Sequence, residues 1–348
     1  MGTSLPLDSS APLDVELDIT AKCQLDCAYC SAAPLLGAEI PTEKAIALLH
    51  ELKRLKVFTL LLSGGEPTLH PGFLQICELA CKCVPSVSVN TNGIRLANKS
   101  FAEKVCRAAP RAMFSISLDS LNSSVNTAQR GKAAGQAIAA INNCVALGQS
   151  VNISCVLTER NIAHAHEIIE AFYPRVRKFS FFPRVPRCDQ ELLSDVNGFR
   201  EAMSAFTDRI EGLRGRYQTL EIMLPTRKLA ASNRGQLFET VAGCCCAYTR
   251  LYINVILDVY PCYYSAGPDT LLGSIANSTL QELWLNDKAG RIRILAKERS
   301  LCGMVLGRDS VPYRYKNAQH IKKVELYVSS GKPLKTWQPL TTRNKVSA

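Results

Sequence analysis

The sequence lacks any apolar run long enough to cross a membrane, and it lacks an N-terminal basic region followed by an apolar stretch. We therefore expect a cytoplasmic protein with no membrane partner. The chain also contains no internal repeat and no low-complexity tract. Its 348 residues, 47% hydrophobic and 20% charged, are typical of a globular protein large enough for one or two domains.

The net charge of +11 is concentrated at the C-terminus. Residues 313–348 contain eight Lys or Arg and one acidic residue, Glu325, so a net +7 lies there and only +4 elsewhere. The pattern indicates a basic tail on a nearly balanced body, and we expect no nucleic-acid partner. A solvated tail is the simpler interpretation, and contact with an acidic partner is the alternative.

Fifteen cysteines would suit a disulfide scaffold only in a short secreted domain, which this chain does not resemble. Three of them, Cys23, Cys27 and Cys30, are spaced CxxxCxxC directly after a strand-like run. Three thiolates can hold three irons of a 4Fe–4S cluster and leave the fourth iron open to a substrate or cosubstrate. A zinc knuckle or three unrelated core cysteines are the alternatives, although zinc usually takes four ligands in paired CxxC spacing.

Hydrophobic patterning predicts six strand–helix units between residues 14 and 185. Regular alternation of this kind favours a parallel sheet with helices outside, and it places ligand sites at the carboxyl ends of the strands. The predicted strands are 15–19, 58–62, 87–90, 113–118, 151–156 and 178–182, and the predicted helices are 42–55, 72–82, 100–108, 134–147 and 161–172.

Polar motifs follow several of these strands. Gly64, Gly65 and Glu66 end the second strand, where two glycines allow a close backbone approach and the carboxylate could accept from an ammonium group. An Asn-Gly step at Asn92 follows the third strand. The fourth strand ends in Ser117 and Asp119, and Arg130 precedes the helix 134–147; a guanidinium suits a carboxylate because its planar fork binds bidentately.

The CxxxCxxC motif with Tyr29 before its third cysteine, followed about 35 residues later by GGEP, resembles the signature of radical S-adenosylmethionine (radical SAM) enzymes. The resemblance covers about residues 14–185 and implies a partial (β/α)6 TIM-like barrel of α/β class. It further implies that the open iron binds the methionine moiety of S-adenosylmethionine, and that an electron from the cluster then generates a 5′-deoxyadenosyl radical. A reductant such as flavodoxin or ferredoxin would supply the electron.

The same resemblance assigns roles to the strand-end residues. The GGE motif would bind the methionine amino group, while Ser117 and Arg130 would contact its carboxylate and Asp119 would shape the site. The resemblance also places Tyr29 and Asn92 among the cofactor-binding residues.

A second region resembles the SPASM/twitch extension of radical SAM maturases. The elements are Cys246, Val259-Tyr260-Pro261-Cys262, Leu280-Gln281-Glu282-Leu283-Trp284 and Cys302. Two departures stand out: Leu257 replaces the usual glycine, and Val305 occupies the place of a further cysteine. With so few cysteines the resemblance implies one auxiliary 4Fe–4S cluster rather than two, held by Cys262 and Cys302 with one or two of Cys244, Cys245 and Cys246. We favour Cys244 and Cys246, and a fourth site that is open or held by another residue type is the alternative. A module whose cysteines are only structural is the alternative.

These patterns divide the chain into five parts. They are a lead-in (1–13), the radical SAM core (14–185), a bridging helical segment (186–242), a SPASM/twitch-like domain (243–312) and the basic tail (313–348).

Three functions compete. The chain could mature a ribosomally made peptide by crosslinking or epimerisation, which we favour, or it could oxidise or epimerise a small molecule such as a sugar or cyclitol. A non-catalytic iron–sulfur electron carrier is disfavoured, since it would not need a set of residues that binds S-adenosylmethionine. Only 22 residues precede Cys23, which weakens the peptide interpretation without removing it, because a leader-peptide-binding domain can be a separate protein.

Overall fold

The computed structural model describes residues 10–30, 37–184, 196–224 and 247–298, and these residues share one ten-stranded sheet. The strands are β1 (Asp14–Thr20), β2 (Thr59–Gly64), β3 (Ser86–Thr91), β4 (Met113–Ser117), β5 (Ser150–Leu157), β6 (Lys178–Pro183), β7 (Glu221–Met223), β8 (Arg250–Ile253), β9 (Asp258–Tyr260) and β10 (Gly273–Ser274). The helices are α1 (Thr42–Arg54), α2 (Phe73–Cys83), α3 (Lys99–Ala108), α4 (Ser123–Arg130), α5 (Ala134–Ala146), α6 (Glu167–Phe172), α7 (Val196–Arg216), α8 (Leu280–Leu285) and α9 (Asp287–Glu298).

Strands β1 to β7 lie side by side in sequence order, and every neighbouring pair among them is parallel. Each of the six predicted strands is present, with helices between them, as the hydrophobic alternation indicated. Strands β7 to β10 were not predicted. Strand β7 lies within the segment expected to be a helical bridge, and its three residues are too few to show a period of two.

The region after residue 246 extends the same sheet. Strand β8 pairs in parallel with β1, and β9 and β10 continue outward as antiparallel strands. The second region is therefore joined to the first strand of the barrel through backbone hydrogen bonds.

The two faces of the sheet differ in chemistry. Alternate residues such as Val15, Leu17, Leu60 and Leu62 are buried and belong to one apolar core with the inner residues of the helices. Helix α1, for example, buries Ala45, Leu48, Leu49 and Leu52, which recur at helical spacing. Each buried leucine contributes about 2 kcal/mol to stability, so this face fixes where the helices pack.

The opposite face, which we call the polar face, carries Glu16, Asp18, Ser63, Ser115, Asn152 and Ser180, placed there by the period-two alternation and the strand register. The Asn152 amide donates to Ser115 Oγ at 2.8 Å, and Ser180 Oγ donates to Asn152 Oδ1 at 3.1 Å. These bonds link β4, β5 and β6 across the polar face.

Two helices differ from the prediction. Helix α6 begins at Glu167 rather than residue 161, because the segment before it forms turns closed by Asn161, whose Oδ1 accepts from the Thr158 N–H at 2.8 Å. Helix α4 was not predicted. Asn122 caps its N-terminus by accepting from Ser124 and Val125, and Gly131 ends it at a φ of 79°. Helix α4 matters because its last residue is Arg130.

Among the residues described here, no helix combines the length and apolarity needed to span a membrane.

Candidate active site

The three cysteines of the CxxxCxxC motif lie on the loop that leaves β1 at its carboxyl end. Cys23 is exposed, Cys27 is buried and Cys30 is intermediate, and a turn is closed by the Cys30 N–H donating to the Cys27 carbonyl at 2.9 Å. Burial raises the pKa of the Cys27 thiol to about 11, Arg130 opposes that rise, and the charges of Cys30 and Cys23 add to it. The three thiols are thus close enough to interact electrostatically on one loop.

This donor set fits an iron–sulfur cluster better than a single ion. Within the described ranges no group of three or more His, Cys, Asp or Glu side chains could hold one metal ion. A 4Fe–4S cube spreads three thiolates over three different irons, and thiolates are the ligands such clusters select. Cys23, Cys27 and Cys30 could therefore hold a cluster, with Arg130 reducing the cost of the charge at Cys27.

Gly64 and Gly65 are required because the end of β2 lies against the backbone that enters the cysteine loop. A Cβ on Gly64 would lie 2.2 Å from the Thr20 carbonyl oxygen, and a Cβ on Gly65 would lie 2.4 Å from that of Lys22. The Gly65 and Glu66 N–H groups donate to these same two oxygens, each at 2.7 Å. Any other residue at these positions would push the GGE segment away from the loop.

The Glu66 carboxylate is completely buried and links the ends of β2 and β3. Its Oε1 accepts from the Thr68 N–H at 3.2 Å, the Thr68 hydroxyl at 2.5 Å and the Thr91 hydroxyl at 2.7 Å. Its Oε2 accepts from the Asn92 N–H at 2.7 Å. Burial raises the pKa of Glu66, and these hydrogen bonds oppose the rise. The sequence predicted an acceptor for a ligand, but not this role in holding two strand ends together.

Asn92 also contacts the cysteine loop. Its amide nitrogen donates to Gln24 Oε1 at 3.0 Å and lies 3.8 Å from Cys23 Sγ. The Asn-Gly step thus connects the third strand end to the first cysteine.

Tyr29, Asp119 and Arg130 form one hydrogen-bonded cluster, although the sequence separates Tyr29 from Arg130 by 101 residues. Asp119 and Arg130 are buried, and Tyr29 is partly exposed. Arg130 Nη1 donates to the Tyr29 hydroxyl at 2.6 Å and lies 4.0 Å from Asp119 Oδ2, to which the Tyr29 hydroxyl also donates. The Val156 N–H donates to Asp119 Oδ1 at 2.9 Å. Burial raises the pKa of Asp119, and Arg130 and Tyr29 oppose the rise.

Ser117 stands apart from this cluster. It ends β4 opposite Ser154, is half-buried, and its side chain has no hydrogen-bond partner within the part of the chain that the structure describes. Its hydroxyl is free to bind a ligand. The expected pairing of Ser117 with Arg130 on one carboxylate remains a prediction.

Of the proposed auxiliary-cluster ligands, only Cys262 lies within the described residues, where it is buried beyond the end of β9. Cys244, Cys246 and Cys302 lie outside the described residues. Leu257, which replaces the usual glycine, has a φ of 68°. The turn between β8 and β9 therefore keeps the left-handed conformation that glycine would favour.

Asp18 and Tyr252 were not predicted from the sequence as site residues. The Tyr252 hydroxyl donates to Asp18 Oδ2 at 2.6 Å, and Asp18 Oδ1 is buried with no partner among the described residues. Two acids at alternating positions of a buried strand, Glu16 and Asp18, were the signal that could have found this site.

Two family models match the chain: that of the radical SAM superfamily over residues 17–172, and that of an iron–sulfur cluster-binding domain, SPASM, over residues 244–304. Mycofactocin maturase MftC of Mycobacterium tuberculosis is 26% identical over 313 residues, which cover 86% of this chain and 77% of the maturase. AdoMet-dependent heme synthase of Methanosarcina barkeri is 23% identical over 323 residues, which cover 85% of this chain and 89% of the synthase.

Among solved structures, Streptococcus suis SuiB bound to S-adenosylmethionine superposes with a TM-score of 0.69 at 21% identity, covering 82% of this chain and 68% of SuiB. SuiB has also been solved with its precursor peptide SuiA. At this identity the likeness shows the fold alone. The predicted fold class, a partial barrel of α/β type followed by a SPASM-like region, is confirmed.

Proposed function

Because this chain belongs to the radical SAM superfamily and carries a C-terminal SPASM domain, we propose that it modifies a ribosomally made precursor peptide. The chain is an enzyme whose cofactors are a 4Fe–4S cluster and S-adenosylmethionine. When bound and reduced, the cluster supplies the electron that cleaves S-adenosylmethionine to a 5′-deoxyadenosyl radical, which abstracts hydrogen from a substrate C–H bond. The residues around the cluster would position S-adenosylmethionine and the substrate, and they would exclude water.

We assign the cluster to Cys23, Cys27 and Cys30. What supports this is their place on one loop at the carboxyl end of β1, with the GGE segment hydrogen-bonded to the backbone on either side of Ala21. Gly64 and Gly65 allow that close backbone contact because they have no side chain. The Asn92 amide nitrogen lies 3.8 Å from Cys23 Sγ.

S-adenosylmethionine would be bound by residues at the ends of β2 to β4. Glu66 Oε1 accepts from three donors of Thr68 and Thr91, whereas Oε2 accepts from one described donor, the Asn92 N–H. Oε2 therefore has a lone pair left for an ammonium group. Arg130 and Ser117 would contact the carboxylate, with Tyr29 and Asp119 holding the Arg130 guanidinium in place.

The likeness to MftC carries the peptide proposal, because it spans both the radical SAM and the SPASM matches and the relative is a maturase. The likeness to SuiB, solved with a precursor peptide, is consistent with it. The heme synthase favours a second candidate, since it is similar over a nearly equal share of this chain, 85% against 86%, and its name describes a small-molecule product. A small-molecule substrate is therefore the alternative.

Four further elements belong to the proposal. They are a flavodoxin or ferredoxin as reductant, a separate leader-peptide-binding protein, a cytoplasmic location, and one auxiliary 4Fe–4S cluster held by Cys262 and Cys302 with Cys244 and Cys246. The five segment boundaries predicted from the sequence are also part of the proposal.

The test begins with anaerobically reconstituted protein and S-adenosylmethionine. The wild type should form 5′-deoxyadenosine under reduction, and the triple variant Cys23→Ala, Cys27→Ala and Cys30→Ala should not. Cys83→Ala, a buried cysteine at the end of α2, is the matched control and should retain activity. Cleavage by the triple variant would contradict the cluster assignment.

The substrate is tested separately. The wild type should change the mass of a synthetic precursor peptide encoded beside its gene. Robust cleavage of S-adenosylmethionine with no modification of any such peptide would contradict peptide maturation and favour a small-molecule substrate.

A further inference from the structure

Asp18 is a buried acid on the strand that leads into the cysteine loop. It lies on the polar face of β1 opposite Ser63, near the carboxyl end of the strand and five residues before Cys23. Its neighbours Leu17 and Ile19 point the other way, into the apolar core. Asp18 thus lies on the polar face of the sheet, on the strand that leads into the cysteine loop.

One of the two oxygens of the Asp18 carboxyl group has a hydrogen-bond partner among the described residues, and the other does not. Oδ2 accepts the 2.6 Å hydrogen bond from Tyr252, which belongs to β8 of the second region. Oδ1 is buried without a partner among the described residues, and only 5% of Asp18 is exposed. A buried acceptor left unpaired costs about 1–3 kcal/mol, and more when it is charged, so Oδ1 is a position where a bound donor would be stabilising.

The surroundings of Asp18 define what could pair with it. The Tyr252 ring stacks with Tyr260 at a centroid distance of 5.9 Å and meets Tyr263 edge-on at 5.2 Å. Glu16 lies two residues away on the same face of β1 and pairs in register with Tyr252. The site therefore combines carboxyl oxygens with aromatic rings, which suits an uncharged or cationic hydrogen-bond donor and disfavours an anion.

Two other ligands fit this position poorly. Asp18 is not part of any group of three metal-ligating side chains in the described ranges. The residues assigned to S-adenosylmethionine lie at the ends of β2 to β4, whereas Asp18 and Tyr252 join β1 to β8 on the other side of β2 in the sheet.

We propose that Asp18 Oδ1 accepts a hydrogen bond from an N–H or O–H group of the peptide substrate, and that Tyr252 holds the carboxyl group in the orientation required. The inference rests on the proposed peptide function. Asp18 of β1 and Tyr252 of β8 would then position the target residue of the peptide beside the cysteine loop.

The decisive variant is Asp18→Asn. The amide oxygen can still accept from Tyr252, but the NH2 group then occupies the position of Oδ1. Because NH2 is itself a donor, it cannot accept the hydrogen bond from the N–H or O–H group of the substrate. With the synthetic precursor peptide as probe, KM should rise at least tenfold. The ratio of 5′-deoxyadenosine to modified peptide should also rise at least threefold, because a misplaced peptide lets the radical decay without product.

Readouts without peptide separate this role from a structural one. Asp18→Asn should keep the wild-type iron content and peptide-independent cleavage of S-adenosylmethionine, and its melting temperature should be equal or higher because a neutral amide costs less to bury than a carboxylate. Asp14→Asn, at the other end of the same face, is the matched control and should leave KM and the ratio unchanged. Asp18→Glu, which displaces the carboxylate by one methylene, provides a second test if Asp18→Asn does not fold; it should raise the same ratio.

Three outcomes would overturn the inference. An unchanged KM and ratio in Asp18→Asn, with an active wild type, would show that Oδ1 does not bind the peptide. A lower melting temperature with unchanged peptide kinetics would assign Asp18 a structural role. A wild type that modifies no precursor peptide would refute the proposed function, and the peptide assignment of Asp18 with it.

Discussion

The backbone N–H of Asn92 donates a 2.7 Å hydrogen bond to Glu66 Oε2, and through it the carboxyl ends of β2 and β3 are held at a fixed separation. Three further donors from Thr68 and Thr91 converge on Oε1 of the same carboxylate. Since the Glu66 N–H also donates to the Lys22 carbonyl, this one residue connects the cysteine loop to two neighbouring strands.

Glu66→Ala should therefore lower both stability and cofactor affinity. The loss of the carboxylate leaves buried donors of Thr68, Thr91 and Asn92 unpaired, which should reduce the free energy of unfolding by about 3 kcal/mol. Affinity for S-adenosylmethionine, measured by calorimetry on reconstituted protein, should fall about tenfold while iron content is retained. Glu78→Gln, an exposed residue of α2, is the control; a Glu66→Ala protein as stable as wild type would contradict the bracing role.

Arg130 and Asp119 should be strongly coupled. Arg130→Met alone leaves Asp119 buried without its cationic neighbour and should cost about 3 kcal/mol. The double variant with Asp119→Asn should be more stable than the sum of the single losses, with a coupling of about 1–3 kcal/mol in denaturant unfolding. The exposed pair Lys82 and Glu78, 2.6 Å apart, should show a coupling below about 0.5 kcal/mol. Equal coupling in both pairs would contradict the interpretation.

Leu257 should tolerate glycine better than alanine. Its φ of 68° costs an L-residue about 1–2 kcal/mol, a cost that glycine does not carry. Both substitutions remove the same partly buried side chain, but only Leu257→Gly relieves the backbone, so it should unfold at a higher temperature than Leu257→Ala. At Leu285, an exposed residue of α8, the order should be the reverse. Alanine proving better at both positions would refute the left-handed assignment.

Iron analysis tests the auxiliary cluster. Reconstituted protein should contain about eight irons per chain, four for each cube. The double variant Cys262→Ala and Cys302→Ala should approach four irons, retain part of the cleavage of S-adenosylmethionine and lose substrate turnover. A wild-type content near four would show that the cysteines of the second region are structural, and a content near twelve would show a further cluster.

Much of the barrel could be predicted from the sequence because its signals are local. The apolar run from Phe58 to Leu62 predicted a strand from adjacent residues alone, although Phe58 is exposed and strand β2 buries only alternate residues. The helix at Thr42 to Arg54 shows its inner face within three turns. Strand β7 and helix α4 escaped prediction because both are short, and α4 is polar over most of its length.

The chemical motifs were likewise found from spacing alone. Cys23, Cys27 and Cys30 lie within eight residues, so their identity as a set needs no folded structure. The reason for Gly64 and Gly65 did need it. They were interpreted as a place for a ligand to approach, and the structure adds the carbonyl oxygens of Thr20 and Lys22, which leave no room for a side chain.

The sequence by itself determined the alternation of strands and helices, the cysteine loop and the set of polar residues at the strand ends. Only the tertiary structure decided which distant residues meet: Arg130 with Tyr29, Glu66 with Asn92, and Tyr252 with Asp18 across 234 positions. The physical reason is that hydrophobic periodicity and motif spacing act over a few residues. A buried hydrogen bond between remote residues depends instead on strand order and register, which the whole core fixes together.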